Sequence, residues 1–142
     1  MRRITARLGA LAAASLLAVT VQAGQAGAAD EAAYFKMRDI TRAEFIVKIT
    51  TPSAIQEARD IVATGEQKIV IGRIVKRQAD YNPRWSFHLD PERIQFAEAA
   101  IEVCDATTPY VEDHLDEAGG AFLPGLYWCP WTGRLTEEIP AP

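Results

Sequence analysis

Ile69-Val70-Ile71-Gly72-Arg73-Ile74-Val75 is the stretch on which the fold turns. Its first three side chains are β-branched, and Arg73 carries its single charge. A short apolar run of this kind, bounded by Gln67-Lys68 before and Lys76-Arg77 after, predicts a strand at the centre of a sheet, covered on both faces. Residues 68–77 are also the most basic stretch of the chain, but their apolar content marks them as a strand rather than a basic helix.

Upstream lies a well-punctuated helix. Thr51 stands at its cap, Pro52 takes the first helical position, Ile55, Ala58, Ile61 and Val62 form an apolar stripe, and Gly65 closes it. Before the helix, Phe45, Val47 and Ile49 alternate with Ile46 and Lys48, as in a half-buried strand. Downstream, Asp80-Tyr81-Asn82-Pro83 turns the chain, and Trp85, Phe87 and Leu89 alternate with Ser86 and His88 in a further strand. Asp90-Pro91-Glu92 turns it again. Ile94 and Phe96, then Ile101 and Val103, predict one interrupted strand or two short ones. A second helix is expected from Pro109 to Ala118, stopped by Gly119-Gly120. Residues 29–37 and 136–142 read as short tails. The fold class is α+β, with a small mixed or antiparallel sheet of four to five strands and two helices packed against it.

The chain of 142 residues begins with a different composition. Arg2, Arg3 and Arg7 precede an uncharged Ala- and Leu-rich run over residues 8–21, too short for a comfortable membrane span. Ala26-Gly27-Ala28 places small residues where signal peptidase reads them, so residues 1–28 read as a cleavable signal peptide. Cleavage is expected before Ala29, with Val21-Gln22-Ala23 as the second site. The expected product is secreted, and residues 29–142 form one domain with its core at about 38–135. No cysteine follows the apolar run to carry a lipid, and no membrane association is expected after cleavage.

Loss of the three leader arginines leaves 12 Lys and Arg against 19 Asp and Glu, a net charge of −7. Nucleic acid is an unfavourable partner for such a chain, because phosphate binding rests on Lys and Arg. The same field attracts basic partners at long range. Cys104 and Cys129 are the two cysteines, both within the exported part, and an oxidising compartment favours their disulfide. A bonded Cys104 is no nucleophile.

Three blocks carry a family resemblance: Tyr81-Asn82-Pro83-Arg84-Trp85-Ser86-Phe87-His88-Leu89-Asp90-Pro91, Ile101-Glu102-Val103-Cys104-Asp105-Ala106, and Leu123-Pro124-Gly125-Leu126-Tyr127-Trp128-Cys129-Pro130-Trp131. Together they resemble a family of small exported bacterial proteins labelled calmodulin-binding protein. That family is similar to the N-terminal domain of a eukaryotic calmodulin-binding protein. The resemblance implies the fold and names calmodulin as a partner, but brings no catalytic residue with it. Calmodulin captures basic amphipathic helices. Residues 52–64 hold one Arg and two acids, and residues 109–118 hold Glu112, Asp113, Asp116 and Glu117 without a Lys or Arg.

Chemistry-bearing groups are few. His88, Asp90 and Glu92 are the candidates for a divalent metal or an acid/base pair, and a small hydrolase centred on His88 is the enzymatic alternative. Their spacing fits a strand histidine and an Asp-Pro turn better, and zinc sites draw more ligands than two histidines supply. His114 among its four acids reads as a solvated helix face. Ser53 and Ser86 lie in no Gly-flanked elbow. No metal and no cofactor is expected. A non-enzymatic binding domain remains, for a protein or a carbohydrate ligand, including an inhibitor of an extracellular enzyme. Its candidate surface is Tyr127, Trp128 and Trp131, held between Pro124-Gly125 and Pro130 and tethered at Cys129. Trp128 is also suited to cover the disulfide and fill the core, leaving Trp131 as the stronger contact candidate.

Overall fold

The computed structural model describes residues 31–142. The expected signal peptide and its cleavage site lie outside the described residues. Strand β1 (Ala33–Arg38) opens the fold and pairs antiparallel with β2 (Glu44–Ile49) on one side and β9 (Arg134–Ile139) on the other. Ala33, Phe35 and Met37 of β1 point inward with Phe45, Val47 and Ile49 of β2.

The segments read as tails are therefore the first and last strands. In β1 a period-2 pattern is present, with Phe35 and Met37 set between Lys36 and Arg38. In β9 only Leu135 is buried, so the alternation that marks a strand is missing. Ion pairs help to hold β9 in its place. Lys36 Nζ lies 2.6 Å from Glu137, and Arg59 grips Glu138 with two bonds of 2.9 and 2.8 Å.

Helix α1 (Pro52–Thr64) follows as the spacing predicts, burying Ala54, Ile55, Ala58 and Ile61. Gly65 ends it in a left-handed conformation, φ 70°, its amide donating to the Ile61 carbonyl at 2.9 Å. Thr51 occupies the cap position, but its hydroxyl bonds the Glu92 carbonyl at 3.3 Å and makes no cap bond.

Strand β3 (Ile69–Val75) is central as expected. It pairs antiparallel with β4 (His88–Leu89), β5 (Gln95–Ala97) and β8 (Tyr127–Trp128). Gly72 suits a close approach there, since a Cβ would stand 2.7 Å from Leu89 Cδ1. The strand expected over residues 85–89 is reduced to its last two residues. In its place, side chains dock the segment on β2: Asn82 bonds the Ile46 amide and carbonyl at 2.8 and 2.7 Å, and Trp85 Nε1 donates to the Glu44 carbonyl at 2.8 Å. The exposed edge of β2 is thereby satisfied without a backbone ladder.

Residues 101–104, read as a strand, form a 3₁₀ turn over Glu102–Cys104. Helix α2 (Thr108–Asp113) stops before the expected Ala118. Like charges explain the early end: Glu112 and Asp116, and Asp113 and Glu117, would meet at i,i+4 spacing with no cation to offset them. A short parallel pair, β6 (Ala118–Gly119) with β7 (Phe122–Pro124), leads into β8.

The buried faces of both larger sheets and of α1 meet in one core, centred on Phe45, Phe87 and Trp128, whose ring centroids lie 5.1 to 5.5 Å apart. Asp39 fastens the β1–β2 turn to α2. Its carboxylate accepts the Thr41 amide at 2.9 Å, the Thr41 hydroxyl, and the Thr108 amide at 2.7 Å. Burial pushes its pKa up, yet these hydrogen bonds outweigh burial and hold the group below its ordinary value.

Candidate functional site

The alternation of β3 has two destinations. Val70 and Ile74 enter the main core, whereas Ile69 belongs to a second cluster on the other face, with Cys104 and Cys129 buried and Ile71 and Ala100 packed against them. The expected disulfide is present, with Cα atoms 5.1 Å apart, and the Cys129 amide donates to the Cys104 carbonyl at 2.8 Å. This link fixes the 3₁₀ turn and the chain after β8 to each other.

Around that cluster the surface is apolar and open. Ile101 is 70% exposed, Val103 58%, Tyr127 46% and Trp131 38%. A cleft of about 310 Å³ is lined by Ile71, Ala100, Ile101, Val103, Cys104, Pro124 and Tyr127. A second hollow of about 240 Å³, lined by Ile69, Glu98, Ala99, Ala100 and Trp131, shares Ala100 with it. The two make one apolar face.

Its framework is stiff. The Trp131 amide donates to Asp105 Oδ1 at 2.8 Å, the Trp131 carbonyl accepts from Arg134 Nη1 at 2.6 Å, and Pro130 before it is buried. Tyr127 is carried by a turn in which Leu123, Gly125 and Leu126 have φ of 45°, 69° and 65°. Two leucines in the left-handed region each cost about 1 kcal/mol or more, a strain that accumulates where the backbone is held for a purpose.

Of the sequence-derived contact residues, Tyr127 and Trp131 reach this face. Trp128 does not. It is wholly buried in the main core, and its Nε1 donates to the Ala106 carbonyl at 2.8 Å, because successive residues of β8 point to opposite faces. Ile101 and Val103 were missed as contact residues, since two apolar residues at alternate positions read as a strand. The signal was in their neighbours: Glu98, Glu102 and Asp105 leave no continuous side for a core to cover.

The catalytic candidates are dispersed. His88 is buried and paired in β4, its Nδ1 donating to the Arg77 carbonyl at 2.6 Å and its ring standing edge-on to Tyr81 at 6.1 Å. Burial pushes the Tyr81 phenol up to about 12. Asp90 accepts the Glu92 amide at 3.1 Å and pairs with Arg93 at 3.4 Å. Ser86 faces Glu112 rather than His88, with its hydroxyl at 2.6 Å and its amide at 2.9 Å from that carboxylate. His114 stacks on Tyr110 at 4.0 Å and bonds the Tyr110 carbonyl at 3.0 Å, within α2 and its turn. Among the described residues no three His, Cys, Asp or Glu side chains group as metal ligands. A polar hollow of about 440 Å³ at the start of α1, lined by Thr51, Ser53, Glu57, Glu92, Arg93 and Gln95 among others, gathers no nucleophile with a base.

A model of a calmodulin-binding protein N-terminal domain family matches residues 31–142, all that the structure describes. No curated protein and no solved structure gives a match.

Proposed function

The chain belongs to this calmodulin-binding protein N-terminal domain family, and from that premise we propose that it is a secreted, non-enzymatic binding domain whose contact surface is the apolar face around Cys104–Cys129. One observation carries the reading. Ile101, Val103, Tyr127 and Trp131 are exposed together on segments that a disulfide and hydrogen bonds hold rigid. Apolar side chains on a stiff frame bind with little ordering cost, and aromatic anchors supply much of the energy of an interface. Export is supported by the leader pattern of residues 1–28 and by the disulfide, which an oxidising compartment preserves.

A helix-in-groove complex with calmodulin draws no support from these helices. Arg59 of α1 is paired with Glu138, and α2 carries Glu112 and Asp113 without a cation. Against hydrolysis stands the position of His88, whose hydrogen bond and packing account for it within β4.

The experiment is capture of partners from culture fluid on the immobilised protein, repeated with Trp131→Ala and His88→Ala. The Trp131 variant should lose the captured partner while keeping its fold, and the His88 variant should retain it. Capture unaltered by Trp131→Ala would contradict the proposed surface. A hydrolytic activity abolished by His88→Ala in a folded protein would replace it with an enzyme.

A further inference from the structure

The charges around the apolar face narrow what sits on it. Glu98, Glu102 and Asp105 flank Ile101 and Val103 along one segment, and all three are exposed. Among the described residues none of them is in an ion pair. Other acids of the surface are tied: Glu44 to Arg38, Glu57 to Lys68, Glu137 to Lys36 and Glu138 to Arg59. Three cations lie nearby. Lys68 is within electrostatic reach of Glu98 but is engaged by Glu57 and Glu66. Arg73 is opposite Tyr127 in the β3–β8 register, and the Arg134 guanidinium is turned onto the carbonyls of Trp131 and Gly133. The 98–105 edge of the face thus keeps an excess of negative charge, in a domain that carries −7 over residues 29–142.

An apolar cleft edged by carboxylates outside any ion pair discriminates among occupants. A second copy of this chain would bring its own acids against them, and like charges at an interface are costly. A neutral sugar could stack on Tyr127 or Trp131 but would leave the carboxylates without counterions. A segment with apolar anchors and flanking Lys or Arg satisfies both parts at once. Each ammonium brought to about 4 Å from a rim carboxylate gains attraction that is modest in water and larger as the contact excludes it.

We infer that the occupant is a cationic polypeptide segment, which sets apolar side chains into the cleft beside Val103 and Tyr127 and basic ones against Glu98 and Glu102. This rests on the reading of the face as the contact surface. It assigns the partner's chemistry: basic and amphipathic, opposite in charge to this domain.

Two synthetic amphipathic peptides test it, one built of Leu and Lys and the other of Leu and Glu, titrated calorimetrically against the purified protein at low and high salt. The Leu/Lys peptide should bind, about tenfold more weakly at high salt as exposed ion pairs are screened, and the Leu/Glu peptide should not. Glu98→Lys with Glu102→Lys should abolish Leu/Lys binding. Asp60→Lys with Asp80→Lys, an equal change of net charge at exposed positions on α1 and the 80–83 turn, should weaken it far less. No Leu/Lys binding, or equal losses from the two charge reversals, overturns the inference. If instead the Leu/Glu peptide or a neutral oligosaccharide binds, and Ile101→Ser with Val103→Ser removes that binding, the contact face stands and its cationic occupant falls. Leu/Lys binding that survives Ile101→Ser with Val103→Ser overturns the face itself. A dimer of the parent protein that this variant loses makes the occupant a second copy and overturns the inference.

Discussion

Each face of β3 is packed by a different kind of cluster. On one side, Val70 and Ile74 join a sealed core in which Phe35, Phe45, Phe87 and Trp128 have no exposed surface. On the other, three buried residues, Ile69, Cys104 and Cys129, form a small cluster whose neighbours Ile101, Val103, Tyr127 and Trp131 remain open to water. The first is closed by packing of apolar area, the term that dominates folding. The second is closed by a covalent bond. A disulfide holds a surface in shape without needing its apolar side chains to be buried, so those side chains stay available for a partner.

The comparison is sharpest where a side chain is removed from the sealed side. Trp128→Ala takes away an indole in contact with Phe45 and Phe87 and leaves the Ala106 carbonyl without its donor. It should cost about 3–5 kcal/mol, measured by denaturant unfolding. A loss under about 1 kcal/mol would place Trp128 outside the core.

Replacing Cys104 and Cys129 together by Ser should cost roughly 3 kcal/mol, the chain-entropy value for residues 25 apart. The loss should appear in amide exchange as loosening of residues 98–105 and 127–131, with the main core still protected. Uniform loosening of the whole chain would show that the two clusters are one cooperative unit.

Asp39→Ala removes the acceptor that joins the β1–β2 turn to α2. It should cost about 2 kcal/mol at neutral pH. Because the folded carboxyl lies below its ordinary value, its contribution is full above the unfolded pKa near 3.8 and is lost as pH falls through the lower folded value. The parent should therefore lose stability on acidification through that window more steeply than the variant. Parallel acid profiles would contradict the direction of this shift.

Much of the fold was legible in sequence because its elements carry strong local signals. Helix α1 has a proline start and a glycine stop, and β3 opens on a continuous β-branched run. The family assignment agrees with the resemblance carried by the three blocks. The terminal strands were not legible. Glu137 and Glu138 of β9 are held by Lys36 and Arg59, 101 and 79 residues away along the chain, and such partners become neighbours only once the chain has folded. The 85–89 segment hid its docking in side-chain bonds of Asn82 and Trp85, which leave no periodicity. At the candidate site, Tyr127 and Trp131 stood out as aromatics beside Pro and Cys. Ile101 and Val103 did not, because an alternating apolar pair looks the same whether its side chains face a core or a partner. Exposure separates those cases, and exposure depends on tertiary structure.

Thermal melting of the Ile101→Ser, Val103→Ser variant beside the parent tests most directly whether these apolar residues serve contact rather than stability. If they do, each substitution falls within about 0.5 kcal/mol, and the variant should melt within a few degrees of the parent. A fall in Tm of about ten degrees or more would mean that the two side chains are part of what holds the domain together, and the distinction between its sealed and open faces would fail.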